Sequence, residues 1–122
     1  MIRCLLPIAL SLLAFPALAE SDELTPVPVD AVIGRPYPGH GAPSEIRFIN
    51  VRPAPVTVVW IGGDGREHIY GVIAPGEEWD QPTFVTHRWL LKDERNGAPV
   101  AAFISTRSGV RDNGTPQIAM IR

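Results

Sequence analysis

Turn-forming residues recur so closely from residue 44 onward that the chain can hold only short secondary-structure elements. The 122 residues include 13 prolines and 11 glycines. Proline lacks an N–H donor and glycine tolerates positive φ, so both residues end strands and form turns. Four such turn signals are found at residues 52–55, 62–65, 74–77 and 93–97. Outside residues 1–19, no window has the apolar spacing of a helix.

The segments between these turns have the composition of β-strands. Ile46 and Phe48 alternate with more polar residues, and residues 56–61 are largely β-branched. Further strands are predicted at residues 66–70, 78–83, 86–92, 99–106 and 117–121. We therefore expect an all-β fold, a seven-stranded antiparallel β-sandwich (six to eight strands) of the immunoglobulin or prealbumin type.

The first nineteen residues have the features of a secretory signal peptide. Arg3 precedes an apolar run over residues 5–18, and Ala17 and Ala19 form a small-x-small cleavage site. The alternative, a membrane anchor, is disfavoured because the run is shorter than the roughly 20 residues of a spanning helix. The sequence therefore predicts a secreted or periplasmic protein, and the short leader suits a bacterial periplasm.

The predicted mature chain contains no cysteine, since Cys4 lies within the leader. It cannot form disulfides, so its stability must come from an apolar core. Removal of Arg3 changes the formal net charge from −2 to −3, and no basic run is present. Nucleic acid is therefore a poor candidate partner.

Residues 20–43 are predicted to form a proline- and glycine-rich arm that precedes a β-domain over residues 44–122. Five prolines and three glycines fall in this segment. Residues 25–29 favour an extended polyproline conformation. The apolar residues of the arm can still pin part of it to a sheet, and an edge strand is expected around residues 29–33.

The side chains most suited to binding a ligand lie between residues 50 and 93. Thr83, His87 and Trp89 occupy odd positions, and on a single strand they would line one wall, because successive side chains alternate. Trp60 and Tyr70 would supply other walls. This combination of a hydroxyl, an imidazole and aromatic rings suits a small, half-polar ligand.

Each of these residues also has a simpler structural interpretation. Trp60 and Trp89 are the kind of residue that a sandwich buries in its core. His87 would be a hydrogen-bonded interior histidine, Thr83 a strand end, and Tyr70 a strand anchor with its hydroxyl in water. Trp79 has no place in the predicted site and is expected to be a packing or a surface residue.

Other chemistries find little support in the sequence. His40, His68 and His87 are scattered and the mature chain lacks cysteine, so we expect no metal site and no cofactor. Ser44, Ser105 and Ser108 lack the context of a nucleophile elbow. We therefore do not expect an enzyme.

A set of residues spread over positions 46–93 matches a known pattern in order and spacing. These residues are Ile46, Arg47, Phe48, Ile49, Asn50, Pro53, Pro55, Val59, Trp60, Ile61, Asp64, Gly65, Tyr70, Pro75, Gly76, Thr83, His87, Arg88, Trp89, Leu90 and Asp93. Together they resemble the β-domain of the von Hippel–Lindau family, over about half of the chain. The resemblance implies a seven-stranded β-sandwich that binds peptides carrying 4-hydroxyproline.

The family's pocket for the hydroxyproline ring consists of two tryptophans, a tyrosine, a serine and a histidine. The resemblance assigns these roles to Trp60, Trp89, Tyr70 and His87, while Thr83 replaces the serine and keeps a hydroxyl. Pro82 departs from the pattern, since the family has a second histidine there. The family's helical domain has no counterpart here, so we expect no ubiquitin-ligase scaffold as partner.

Two functions follow as expectations. The first is a secreted, non-enzymatic peptide-binding module that recognises hydroxyproline-containing peptides through Trp60, Tyr70, Thr83, His87 and Trp89. The alternative is a structural or protein–protein interaction module of the cell envelope, without hydroxyproline recognition.

Overall fold

A computed structural model describes residues 22–109 and 114–122. The elements in chain order are a 3-10 helix, Val29–Ala31, and seven strands: β1 Pro43–Asn50, β2 Val56–Ile61, β3 Glu67–Ile73, β4 Glu78–Phe84, β5 Arg88–Asp93, β6 Pro99–Ile104 and β7 Gln117–Ile121. The predicted all-β fold with seven strands is confirmed. The predicted signal peptide lies outside the described residues, and no helix within them is long and apolar enough to cross a membrane.

The strands form two sheets that pack face to face. One sheet has the order β4-β1-β7 and the other has the order β3-β2-β5-β6. All neighbours are antiparallel except β1 and β7, which are parallel. The side chains between the sheets form one apolar core. Its buried members are Leu24, Ile46, Phe48, Val56, Val58, Ile73, Trp89, Leu91, Phe103, Ala119 and Ile121.

The described part of the arm packs across the outer face of the four-stranded sheet. Val27, Val29 and Val32 pack against apolar side chains of β2, β5 and β6 in a second core. The Val27 N–H donates to the Ala102 carbonyl, and further along the Tyr37 N–H donates to the Gly63 carbonyl. The expected edge strand at residues 29–33 is wrong: a 3-10 helix forms there. Pro28 immediately before it lacks the N–H that a strand ladder would need.

Buried polar side chains tie the two sheets together. Asn50 is fully buried, and its amide donates to the carbonyls of Ala54 and Ile73. Near the other end of β1, the Gln117 amide donates to the hydroxyls of Ser44 and Ser105. Two of the three serines considered as nucleophiles, Ser44 and Ser105, are therefore held in a buried network, and breaking such a network would be costly.

Acid is expected to weaken the fold through Asp93. Hydrogen bonds from the Arg95 side chain and backbone hold the pKa of the Asp93 carboxyl at about 2. An unfolded aspartate titrates near 3.9, so this contribution to stability is present above about pH 4 and is lost as the pH falls through about 2. Urea unfolding of the wild type and of Asp93→Asn between about pH 2 and pH 4 checks the effect. The free energy of unfolding should fall with pH in the wild type by more than in the variant, which lacks the carboxyl group. Parallel pH profiles for the two proteins would contradict it.

Candidate functional site

Two tryptophans lie side by side at one end of the sandwich. Trp60 on β2 and Trp89 on β5 are direct partners in the antiparallel ladder, so both side chains point to the interior face of the sheet. Trp89 is 1% exposed and belongs to the core, whereas Trp60 is half-buried and packs against that core. Trp89 is therefore a core residue, as the simpler interpretation expected, whereas part of the Trp60 side chain remains accessible to solvent.

Thr83 and Trp89 do not share a strand, so the expectation that they line one strand's wall is wrong. Thr83 belongs to β4 in one sheet and Trp89 to β5 in the other, because the chain turns between Phe84 and Arg88. The two side chains instead meet across the sandwich. The Trp89 indole N–H donates to the Thr83 hydroxyl oxygen at 3.0 Å. Both residues are buried, so neither offers the accessible surface that Trp60 retains.

His87 lies in the loop between β4 and β5, beside Trp60. The centroids of the two rings are 5.2 Å apart and tilted by 31°. Burial lowers the pKa of His87, and the neighbouring His40 lowers it further. The imidazole is therefore neutral near pH 7, with one nitrogen that donates and one that accepts.

Tyr70 completes the predicted set from the edge of the four-stranded sheet. A register shift between Val58 and Val59 leaves Tyr70 opposite no residue of β2, as in a β-bulge. Its ring meets Trp89 edge-on, with the centroids 5.1 Å apart, and it is 46% exposed. All five predicted residues thus lie at one end of the sandwich: Trp60, Tyr70 and His87 are accessible above the buried Thr83 and Trp89.

A cavity of about 300 Å³ adjoins the accessible side of Trp60 and His87. Of the five predicted residues, only Trp60 and His87 line it; the remaining lining residues are Tyr37, Gly39, His40, Gly63 and Phe84. Sequence reasoning missed this contribution of the arm. Tyr37 is anchored by its hydroxyl, which donates to the Ile61 carbonyl at 2.6 Å, and by Arg88, whose guanidinium lies 4.5 Å from its ring centroid. The sequence signal for the role of Tyr37 was its position between two prolines, Pro36 and Pro38.

The loop that carries His87 is held in a strained conformation. The His87 N–H donates to the Phe84 carbonyl and closes a four-residue turn. Thr86, the third residue of that turn, has a φ of 83°. That position of a type II turn normally requires glycine, and a β-branched residue there is an outlier. The Thr86 N–H is held by the Ser105 carbonyl at 2.8 Å.

Thr86→Gly is expected to raise the free energy of unfolding by about 1 kcal/mol. Relief of the strain at positive φ exceeds the extra freedom that glycine gives the unfolded chain. Chemical denaturation measures the change. Thr86→Val is the matched control, because it keeps the branched Cβ and the strain. A less stable glycine variant would contradict the interpretation.

A metal site finds no support in the part of the chain that the structure describes. Among residues 22–109 and 114–122, no group of three or more histidine, cysteine, aspartate or glutamate side chains could hold a metal ion. The site offers aromatic surface, the hydroxyls of Thr83 and Tyr70 and the neutral imidazole of His87, which suits recognition of a ring that carries a hydrogen-bonding group.

Comparison with known proteins adds one finding. The family model described as VHL beta domain matches residues 40–103, which include β1 to β5, most of β6 and all five predicted site residues. No curated protein matches the chain.

Proposed function

Because the chain belongs to the von Hippel–Lindau β-domain family, we propose that it is a secreted, non-enzymatic module that binds peptides containing 4-hydroxyproline. Domains of this family bind protein or peptide partners in general. The finer assignment, to a hydroxylated proline, rests on the chemistry of the five clustered residues.

The hydrogen bond between Trp89 and Thr83 supports this assignment most directly. The Trp89 N–H occupies one lone pair of the Thr83 hydroxyl. The hydroxyl keeps its own proton and a second lone pair for a ligand. The neutral His87 packs on Trp60, the ladder partner of Trp89. A ligand hydroxyl that reached both Thr83 and His87 would find a donor and an acceptor.

The aromatic rings suit the rest of a hydroxyproline residue. Its ring has apolar C–H faces, which Trp60 can cover, since its indole is half-buried and packs against the core. The Tyr70 hydroxyl is free to reach a peptide carbonyl from its exposed position. A proline analogue would leave the proton of the Thr83 hydroxyl and the His87 imidazole without a ligand partner, at a cost of about 1–3 kcal/mol. We expect a preference for hydroxyproline of roughly ten- to a hundredfold.

Titration of the protein with two peptides that differ only in 4-hydroxyproline against proline tests the proposal. We expect the amide chemical shifts to change mainly at the five site residues. These changes should saturate at a lower concentration of the hydroxylated peptide than of the proline peptide. Thr83→Ser keeps a hydroxyl and should retain the preference, whereas Thr83→Val should lose it. Equal affinity of the wild type for both peptides would refute hydroxyl recognition.

The second candidate is a structural or interaction module of the cell envelope without hydroxyproline recognition. The observation in its favour is that Trp89 and Thr83 are buried and hydrogen-bond one another within the core. No shift with either peptide would favour this candidate.

A further inference from the structure

The cavity beside Trp60 is walled mainly by aromatic rings. Two of its lining residues, Gly39 and Gly63, add no side chain. At about 300 Å³, the cavity is at the small end of the range for ligand pockets. Its other lining residues all carry a ring and are called the aromatic cluster below: Tyr37, His40, Trp60, Phe84 and His87.

His87 is the centre of the aromatic cluster, because each of the other four rings contacts it. The ring centroids of Trp60 and Phe84 both lie 5.2 Å from that of His87. Those of His40 and Tyr37 lie 5.5 Å and 6.4 Å away, and both of these rings meet His87 edge-on. The angles between the ring planes range from 31° to 89°, so the rings do not form a stack. They border the cavity from several directions.

The lining of the cavity is almost free of charge and of unbonded polar groups. None of the lining residues is an aspartate, a glutamate, a lysine or an arginine. Burial lowers the pKa of His87, and His40 beside it lowers the pKa further, so the central imidazole is neutral near pH 7. The Tyr37 hydroxyl already donates to the Ile61 carbonyl. A ligand in this cavity therefore meets chiefly the faces and edges of rings.

The chemistry of these rings favours a cation whose charge lies under apolar groups. The face of an aromatic ring is the negative part of its quadrupole, so it attracts cations and repels anions. A bare ammonium would lose its water here without a carboxylate to replace it. A methylated ammonium keeps its charge and presents methyl groups to the rings, and aromatic cages are the usual protein sites for such ligands.

Tyr37 already takes part in one interaction of this kind. The Arg88 guanidinium lies 4.5 Å from the centroid of its ring, and Arg88 does not line the cavity. A carboxylate offsets this positive charge. Burial is the main cause of the raised pKa of Tyr37, and beyond it Arg88 lowers that pKa whereas Asp64 raises it. Asp64 directly follows the lining residue Gly63, so a negative charge lies near the cavity.

We propose that the aromatic cluster binds a methylated ammonium group such as that of choline, either free or as the headgroup of a lipid. This proposal does not depend on hydroxyproline recognition. Tyr37 and Gly39 precede the residues that match the family model, so the arm adds part of this wall to the domain. The two sites share only Trp60 and His87.

The first test compares choline with its tert-butyl analogue, in which a carbon replaces the nitrogen and the shape is kept without the charge. Both are titrated into the wild-type protein at constant ionic strength and followed by amide chemical shifts. We expect shifts at the aromatic cluster and an affinity for choline that is about tenfold or more above that for the analogue. Equal affinities would show a merely apolar pocket and overturn the proposal, as would the absence of shifts with choline.

The second test removes one ring at a time. Tyr37→Leu and Phe84→Leu keep an apolar side chain, so each is expected to weaken choline binding about threefold or more and to leave binding of the analogue within about twofold. Tyr70→Leu is the matched control, because it removes a ring that does not line the cavity. Circular dichroism verifies that each variant folds. Equal losses for choline and the analogue would point to shape alone and contradict the proposal.

The source of the ligand is tested with vesicles. Co-sedimentation with phosphatidylcholine vesicles but not with phosphatidylethanolamine vesicles, lost in Phe84→Leu, would identify a lipid headgroup. Binding of choline without binding to vesicles would identify a free ligand. Either result supports the proposal.

The outcomes also separate this proposal from the proposed function. Thr83→Val should lose the preference for hydroxyproline and keep the affinity for choline, since Thr83 does not line the cavity. If the wild type binds choline but no hydroxyproline peptide, only the proposed function is refuted. If it binds the peptide but shows no preference for choline over the analogue, only the site for a methylated ammonium is refuted.

Discussion

Trp89→Ala is expected to lower the free energy of unfolding by about 3–5 kcal/mol, the range for removal of a buried aromatic side chain. Trp89 is 1% exposed, its ring lies 5.8 Å from that of Phe48, and its N–H is bonded to Thr83. The alanine would leave a cavity between the sheets and an unbonded threonine hydroxyl. Urea denaturation at neutral pH measures the loss.

Trp89→Phe is the matched control for this loss, because it keeps an aromatic ring in the core and removes the N–H with part of the indole. Its expected cost is intermediate, about 1–3 kcal/mol. Comparison of the two variants shows how much of the lost stability an aromatic ring at this position restores. If Trp89→Ala unfolded at the same urea concentration as the wild type, the placement of this residue in the core would be contradicted.

Trp60→Ala is expected to weaken binding of a hydroxyproline peptide by about a hundredfold or more while the protein still folds. Central tryptophans in binding sites commonly contribute 2–4 kcal/mol. Trp60 is half-buried at the end of β2, so the fold depends on it less than on Trp89. Calorimetric titration measures the affinity, and circular dichroism verifies the fold.

The control for Trp60→Ala is Trp79→Phe. Trp79 lies on β4, packs against the core and hydrogen-bonds Gln81, outside the predicted site. Its conservative replacement should leave peptide affinity within about twofold of wild type. Unchanged affinity in Trp60→Ala would exclude this tryptophan as a wall of the pocket.

The β-sheets were predictable because their signals are local. Alternation of Ile46 and Phe48 with polar residues determines which face of β1 is buried, and the observed burial follows it. Prolines and glycines mark the turns. β7 was predicted with its observed bounds, whereas β5 begins two residues later than expected because Thr86 and His87 belong to the turn.

The error about Thr83 and Trp89 has a specific physical cause. The turn between them contains no glycine or proline, since Thr86 occupies the position of positive φ that glycine usually fills. Without that signal, residues 83–89 resemble one continuous strand. The two residues still meet, but from opposite sheets, through contacts between strands that local patterns do not encode.

The arm and the buried polar residues illustrate the same limit. Val32 and Tyr37 lie in a segment whose composition indicates an irregular chain, yet both are buried. Asn50 has the sequence signature of a strand end, and only the packed structure shows its bonds to Ala54 and Ile73. Such roles depend on residues far away in sequence.

Intermolecular nuclear Overhauser effects test the central claim, that this site holds a hydroxyproline ring. The measurement uses wild-type protein and a peptide with an isotope-labelled 4-hydroxyproline. The account predicts contacts from the ring protons to the Trp60 indole, the Tyr70 ring and the Thr83 methyl group. Contacts confined to other residues, or none from a peptide that demonstrably binds, would contradict it.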